Sequence, residues 1–201
     1  MKEGELVRAF VAVPSDPMWV ESTRGLLVRL QGSLPEASWT RPESWHLTLR
    51  FLGEVPRDGL ERFATALEPL ATETVPGEIR SQGAVVFPPH GPARVLGIGF
   101  APSEILEGIS RLANEVEREA REIGAEDTRR PFHPHMTLGR IRRPWPHEAI
   151  ASYRSEVEAW NFPLWQARAC VVFESVLSPE GAVHRPLFEW SFVGGPRGVR
   201  A

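Results

Sequence analysis

The chain has 201 residues, 42% of them hydrophobic, and a formal net charge of −3, enough apolar material for one large domain or two closely packed lobes. The slight negative charge excludes a protein that coats nucleic acid by bulk electrostatics, and the single cysteine excludes an intramolecular disulfide or a multi-cysteine zinc site. No apolar run approaches the ~18 residues needed to span a bilayer, and the opening Met1-Lys2-Glu3-Gly4-Glu5 lacks a signal-peptide pattern, so a cytoplasmic location is expected.

In chain order, Leu6 to Val13 reads as a strand, and Asp16-Pro17 supplies a cap and a first-turn proline for a helix over 17–31. Trp39-Thr40 is a short extended piece, His46 to Val55 a strand, and Pro56 to Ala71 a second helix. Two strands, Glu78 to Phe87 and Arg94 to Phe100, flank the turn-rich Pro88-Pro89-His90-Gly91-Pro92, which predicts a hairpin. From Ser103, its cap, to Gly124 one apolar stripe (Ile105, Leu106, Ile109, Leu112, Ala113, Val116, Ala120) marks an amphipathic helix, with Glu104 and Glu107 early and Arg118 and Arg121 late to suit its dipole. A loop over 129–134 leads into a strand from His135 to Ile141, then a short helix over about 146–158. Two long strands follow, around 165–177 and 184–192, separated by Ser178-Pro179-Glu180-Gly181. The expected organisation is a single bilobal domain over 1–193 and a flexible tail over 194–201.

One pattern occurs twice: His46-Leu47-Thr48-Leu49 and His135-Met136-Thr137-Leu138, each in a predicted strand. Side chains alternate along a strand, so His and Thr share one face, roughly 6 to 7 Å apart, while Leu and Met face the other. Two such faces opposed would bring together two imidazoles that exchange protons and two hydroxyls that hold an anion, with no metal or other cofactor needed. That combination suits phosphoryl chemistry on a diester. The copies are spaced by close to half the chain, which points to an internal duplication giving two similar α+β lobes with a cleft at their junction.

The other reactive residues have plainer readings. Cys170, in Ala169-Cys170-Val171-Val172-Phe173, is an inert core thiol. His90, His147 and His184 adjoin turns or a helix start and read as surface. His133 forms His-Pro-His with His135, but no carboxylate or cysteine cluster completes a metal site. Gly97-Ile98-Gly99 lacks the lysine and helix of a phosphate loop and reads as strand. All basic residues but Lys2 are arginine, and Arg129, Arg130, Arg140, Arg142 and Arg143 bracket the second motif. Guanidinium suits bidentate phosphate contacts.

The chain resembles the two-histidine (2H) phosphoesterases, and within them the bacterial and archaeal RNA 2′,3′-cyclic phosphodiesterases, also called 2′-5′ RNA ligases. The resemblance is carried by Arg8-Ala9-Phe10-Val11-Ala12-Val13, by Trp45 to Gly53 and by Pro131 to Arg140 around the two motifs, and by Glu174-Ser175-Val176-Leu177-Ser178 leading to Gly181-Ala182-Val183-His184. It implies an α+β, bilobal, LigT-like fold with two pseudo-symmetric lobes, each with an antiparallel sheet and helices, and an active-site cleft between the sheets. It implies further that RNA 2′,3′-cyclic phosphates are opened to 2′-phosphates, with reversal giving 2′-5′ ligation. His46 would be the proton donor, His135 the proton acceptor, and Thr48, Thr137 and Arg140 the phosphate contacts.

Strict alternation from His135 puts Gly139 rather than Arg140 on the cleft face, so Arg140 needs a bulge to reach it. Arg50 shares parity with His46 and Thr48 and is a candidate substrate contact. Phe132, Trp39 and Trp45 are candidates to stack on a base. Relatives often carry tyrosine where this chain has His184. The expected partner is RNA with a 2′,3′-cyclic phosphate end, tRNA fragments included, with no membrane and no second copy. A non-catalytic RNA-end or nucleotide-binding module, or a phosphodiesterase for a small cyclic nucleotide or ADP-ribose 1″,2″-cyclic phosphate, are the alternatives.

Overall fold

A computed structural model describes residues 5–128, 131–178 and 181–194. Its elements follow the order β1 (Leu6–Pro14), α1 (Pro17–Ser33), β2 (Ser38–Trp39), a 3-10 turn (Pro42–Ser44), β3 (His46–Pro56), α2 (Arg57–Thr72), β4 (Gly77–Ile79), β5 (Ser81–Phe87), β6 (Val95–Phe100), α3 (Glu104–Glu122), β7 (His135–Arg140), α4 (His147–Glu158), β8 (Trp165–Ala167), β9 (Ala169–Ser178) and β10 (Gly181–Ser191). The caps expected from sequence form: the Asp16 carboxylate accepts from Trp19 N at the start of α1, and Ser103 Oγ accepts from Leu106 N at the start of α3. Each satisfies an amide that the first helical turn would otherwise orphan.

The strands make one eight-stranded antiparallel sheet, ordered β10-β9-β1-β3-β7-β6-β5, with β2 also alongside β7. It divides into two half-sheets, and β3 and β7, the two motif strands, are where they meet, paired through Leu47 and Met136. The lobes are thus joined edge to edge through the motifs themselves. Leu47, Leu49, Met136 and Leu138 are buried on the helix-covered face with Leu26, Leu30, Leu60, Leu67, Ile109, Leu112 and Val116. Burial of such side chains contributes roughly 1.5–3 kcal/mol each, so the hydrophobic positions of both motifs are held by the main core.

Two predicted strands are broken. The run expected over 78–87 divides at Arg80, and that expected over 165–177 divides at Arg168; the detached pieces β4 and β8 pair with each other in a separate two-stranded sheet. At each break the arginine's carbonyl accepts from the residue just past a distant strand, Arg80 O from Ala101 N after β6 and Arg168 O from Phe192 N after β10. Composition carries no trace of this, because each piece is individually a good strand and only the pairing partner changes. The β5–β6 hairpin forms as expected. Gly194 N donates to Thr72 O; the rest of the expected tail, 195–201, lies outside the described residues, as do Arg129, Arg130, Pro179 and Glu180. No described helix is long and apolar enough to cross a membrane.

Candidate active site

The antiparallel register through Leu47 and Met136 sets His46 across from Thr137 and Thr48 across from His135. Each motif's histidine therefore neighbours the other motif's threonine, and the two histidines lie on a diagonal, with roughly 7–8 Å between such positions. All four side chains are half-buried on the face away from the helices. A tetrahedral anion seated at the centre has an imidazole at two opposite corners and a hydroxyl at the other two.

Both motif strands carry a bulge immediately past the threonine. In β3 the pairing with β1 jumps from Ala12↔Thr48 to Val11↔Arg50, leaving Leu49 as the extra residue. In β7 the pairing with β6 jumps from Gly97↔Thr137 to Leu96↔Gly139, leaving Leu138 extra. An extra residue reverses the alternation beyond it. The position five residues past each histidine therefore turns into the cleft, and the position four past turns away. In β7 this delivers Arg140 to the cleft wall and buries Gly139, where an added Cβ would come 2.9 Å from Trp39 Cε3. In β3 it delivers Phe51, 55% exposed, and turns Arg50 away.

Arg50 is consequently no substrate contact. It is 7% exposed, its guanidinium pairs with the Glu117 carboxylate of α3, and it donates to the carbonyls of Phe51 and Glu126. Phe132 is partly buried and packs against the main core rather than lining the cleft, and Trp45 is buried edge-on to Trp19 at 5.7 Å. Of the three aromatic candidates, Trp39 alone lines the cleft.

The two histidines share one anchoring device. His46 Nδ1 lies 2.7 Å from Ser44 O, and His135 Nδ1 lies 2.7 Å from His133 O. A carbonyl only accepts, so Nδ1 carries the proton in both rings and Nε2 is left as the exchanging nitrogen. Their surroundings differ. The His46 ring stacks on Phe10 at 4.8 Å and meets His184 edge-on at 5.4 Å. Burial, and then the neighbouring charge of His184, push its pKa down to about 4. The His135 ring has Phe87 at 4.8 Å, and its pKa is lowered chiefly by burial, while its bond to the His133 carbonyl acts the other way. Charge on His135 also disfavours charge on His46.

The cleft holds ≈ 430 Å³ and is walled by Arg8, Phe10, Arg41, Ser175 and His184 together with His46, Thr48, Thr137, Phe51 and Arg140, while His135 stands beside it, across from Thr48 in register. His184 is thus a cleft residue and not a surface one: β10 pairs with β9 through His184↔Ser175, and β9 pairs with β1 through Phe173↔Phe10, which carries the ring onto His46. Nothing in its local sequence indicates this, since the contact is made across three strands. Glycines opposite the second motif were likewise not legible as site residues: Gly97 faces Thr137 in register, and a Cβ there would meet Met136 O at 2.6 Å. Cys170 is fully buried, and burial raises its thiol pKa far above the ordinary range.

Two like half-sheets with a His/Thr pair on each of the strands that join them define the class, a two-histidine phosphoesterase. The chain belongs to the LigT like phosphoesterase family, whose model matches it twice, over residues 18–97 and 98–184; the second match accounts for the duplication read from the motif spacing. It is 32% identical over 184 residues to the RNA 2′,3′-cyclic phosphodiesterase of Archaeoglobus fulgidus, covering 90% of this chain and 98% of the relative. To the protein of the same name from Thermus thermophilus it is 32% identical over 183 residues, covering 87% of this chain and 86% of the relative. The crystal structure of TT0787 of Thermus thermophilus superposes with a TM-score of 0.72 at 27% identity, covering 93% of this chain and 98% of that one.

Proposed function

We propose that the protein hydrolyses RNA 2′,3′-cyclic phosphate ends to 2′-phosphates by metal-independent general acid–base catalysis. The observation that carries this reading is the diagonal His46–Thr137/Thr48–His135 arrangement, with Nδ1 of both histidines engaged by a carbonyl and Nε2 left for proton exchange. The names of the relatives supply the substrate class.

In the proposed reaction, Nε2 of His135 takes a proton from water as the water oxygen bonds to phosphorus. The bond from phosphorus to O3′ breaks, and O3′ takes the proton carried on Nε2 of His46, leaving a 2′-phosphomonoester and a 3′-hydroxyl. The pKa order suits these roles: His46, the more depressed, is the stronger acid once protonated, and His135 is the better base. In the empty cleft His46 is neutral at pH 7, so the proton is retained only when the anionic diester is bound and offsets the cost of burying the imidazolium. Thr48 and Thr137 donate to the non-bridging oxygens, and Arg140 offsets the charge that builds at phosphorus. The same path run forward, with a ribose 5′-hydroxyl in place of water as the group that bonds to phosphorus while O3′ leaves, gives 2′-5′ ligation, which is minor because water is the abundant nucleophile.

The test is turnover of a short RNA ending in a 2′,3′-cyclic phosphate, with and without a chelator, with the phosphate position in the product identified. A 2′-phosphate formed at a rate indifferent to chelator and with a bell-shaped pH profile is the expected result. A 3′-phosphate, or loss of activity on chelation, would overturn it. An oligonucleotide bound but not turned over would point instead to a binding module.

A further inference from the structure

Beyond the tetrad the cleft continues toward β10 along a row that the sheet register spells out. Arg8 stands across from Ser175, because Ala9 pairs with Glu174, and Ser175 pairs with His184. Arg41 approaches from the strap between β2 and β3 and donates through Nη2 to Ala182 O, 3.1 Å away, on the same hairpin. All four line the cleft. Glu54 is the register partner of Arg8, yet among the described residues neither Arg8 nor Arg41 forms an ion pair. The nearby Glu43 is paired with Arg24. Two guanidiniums and a hydroxyl thus line one cleft in a chain of net negative charge.

Between Arg8 with Ser175 and the tetrad lies an apolar step, past which only the His184 ring reaches, to 5.4 Å from His46. Phe10 pairs with Phe51 in register, and their rings are 5.8 Å apart. Phe51 presents its face to solvent, and Gly53 beside it has positive φ with open space where a side chain would stand. From Ala12, the partner of Thr48, to Arg8 the strand advances roughly 13 Å, a gap that one nucleoside and the arginine side chain together bridge. The order along the cleft is therefore anion site, aromatic shelf, anion site, which matches the order phosphate, nucleoside, phosphate in a polynucleotide.

We propose that Arg8, Ser175 and Arg41 form a second phosphate subsite that holds the 5′ phosphate of the terminal nucleotide, with its base or ribose against the exposed Phe51, which Phe10 backs. The proposal rests on the tetrad as the reacting-phosphate site, and it makes the protein a reader of chain ends over free nucleosides. It adds to the proposed reaction a specificity device: a terminal nucleotide with a 5′ phosphodiester or phosphate is preferred over one with a free 5′ hydroxyl. Arg8 and Ser175 are binding residues that do not touch the reacting atoms.

The test needs no turnover. Adenosine 2′-monophosphate and adenosine 2′,5′-bisphosphate are titrated into the protein by calorimetry, with the wild type compared with Arg8→Gln, Arg8→Lys and Ser175→Ala. The expected result is that the 5′ phosphate tightens binding about tenfold or more in the wild type, the usual range for a charge-assisted hydrogen bond. That ratio should fall toward one in Arg8→Gln and be partly kept in Arg8→Lys. A wild-type ratio of one, or a ratio unchanged in Arg8→Gln with a native melting curve, would overturn the subsite. Weak binding of both ligands that is indifferent to replacement of Thr48 or Thr137 by valine would overturn the tetrad as the phosphate site, a separate failure. With substrate, the ratio of kcat/KM for 5′-phosphorylated over 5′-hydroxyl adenosine 2′,3′-cyclic phosphate should fall by the same factor in Arg8→Gln.

Discussion

The two motif strands β3 and β7 begin alike and end differently. Each runs His, apolar, Thr, Leu, each bulges at that Leu, and each turns its fifth residue past the histidine into the cleft. At that matched place one strand offers Phe51 and the other Arg140, while at the preceding place one buries Arg50 in an ion pair with Glu117 and the other buries a glycine under Trp39. Duplication thus accounts for the matched His/Thr pairs at the centre of the cleft. The copies differ on the flanks, where one side carries a cation and the other an exposed aromatic ring. The histidines diverge too: His46 is deep among Phe10, Phe173 and His184, whereas His135 is flanked by Phe87 and the exposed His133.

The largest effect that tests this comparison is loss of either histidine. His46→Ala and His135→Ala should each lower turnover of a cyclic-phosphate RNA by about 10²–10⁴-fold, and the double variant should lose little more than either single one, because the two act in one proton transfer. Additive losses would mean that the copies work independently. Next in size is Arg50→Ala, which strips the cation from a buried pair and should destabilise the protein to urea by about 3–5 kcal/mol with KM for the cyclic phosphate unchanged. A raised KM with native stability would return Arg50 to the cleft.

The pH dependence of stability separates the two histidines. His46 has its folded pKa lowered to about 4 from the ordinary 6.5, so between those values the unfolded chain binds the extra proton and stability falls as pH falls. The contribution is fully present above pH 6.5 and lost progressively down to about pH 4, on the order of 3 kcal/mol in total. Urea unfolding from pH 7 to pH 4.5 should show this loss. His46→Asn should flatten it more than His135→Asn does, and equal flattening would erase the difference in burial. The smallest effect is expected for Thr48→Val and Thr137→Val. Each removes one hydroxyl donor and should lower kcat by about tenfold; because the tetrad is pseudo-symmetric, the two values should agree within a few-fold.

Much of this was open to reading in the residues. The paired His-x-Thr pattern puts each His and Thr on one face, because alternation along a strand is a local rule, and the apolar partners in each motif mark which face is buried. The caps at Asp16 and Ser103 and the stripe of α3 are local as well. The strand breaks at Arg80 and Arg168 were not legible, since a strand's sequence does not say with which neighbour it pairs. Nor was the fate of Arg50: its parity with His46 and Thr48 holds only while alternation holds, and the bulge at Leu49 ends it. Arg140 is the converse, excluded by parity and admitted by the matching bulge at Leu138.

By itself the sequence determined the α+β content, the duplication and the four residues of the tetrad, because each depends on spacing within a single element. The tertiary structure alone decided that the two half-sheets join through Leu47 and Met136, and so that each histidine neighbours the opposite threonine. It also carried His184 across three strands onto His46 and gathered Arg8, Ser175 and Arg41 in one cleft. Those features depend on register between distant strands, which is set by the packing of the whole core and not by any segment's own residues.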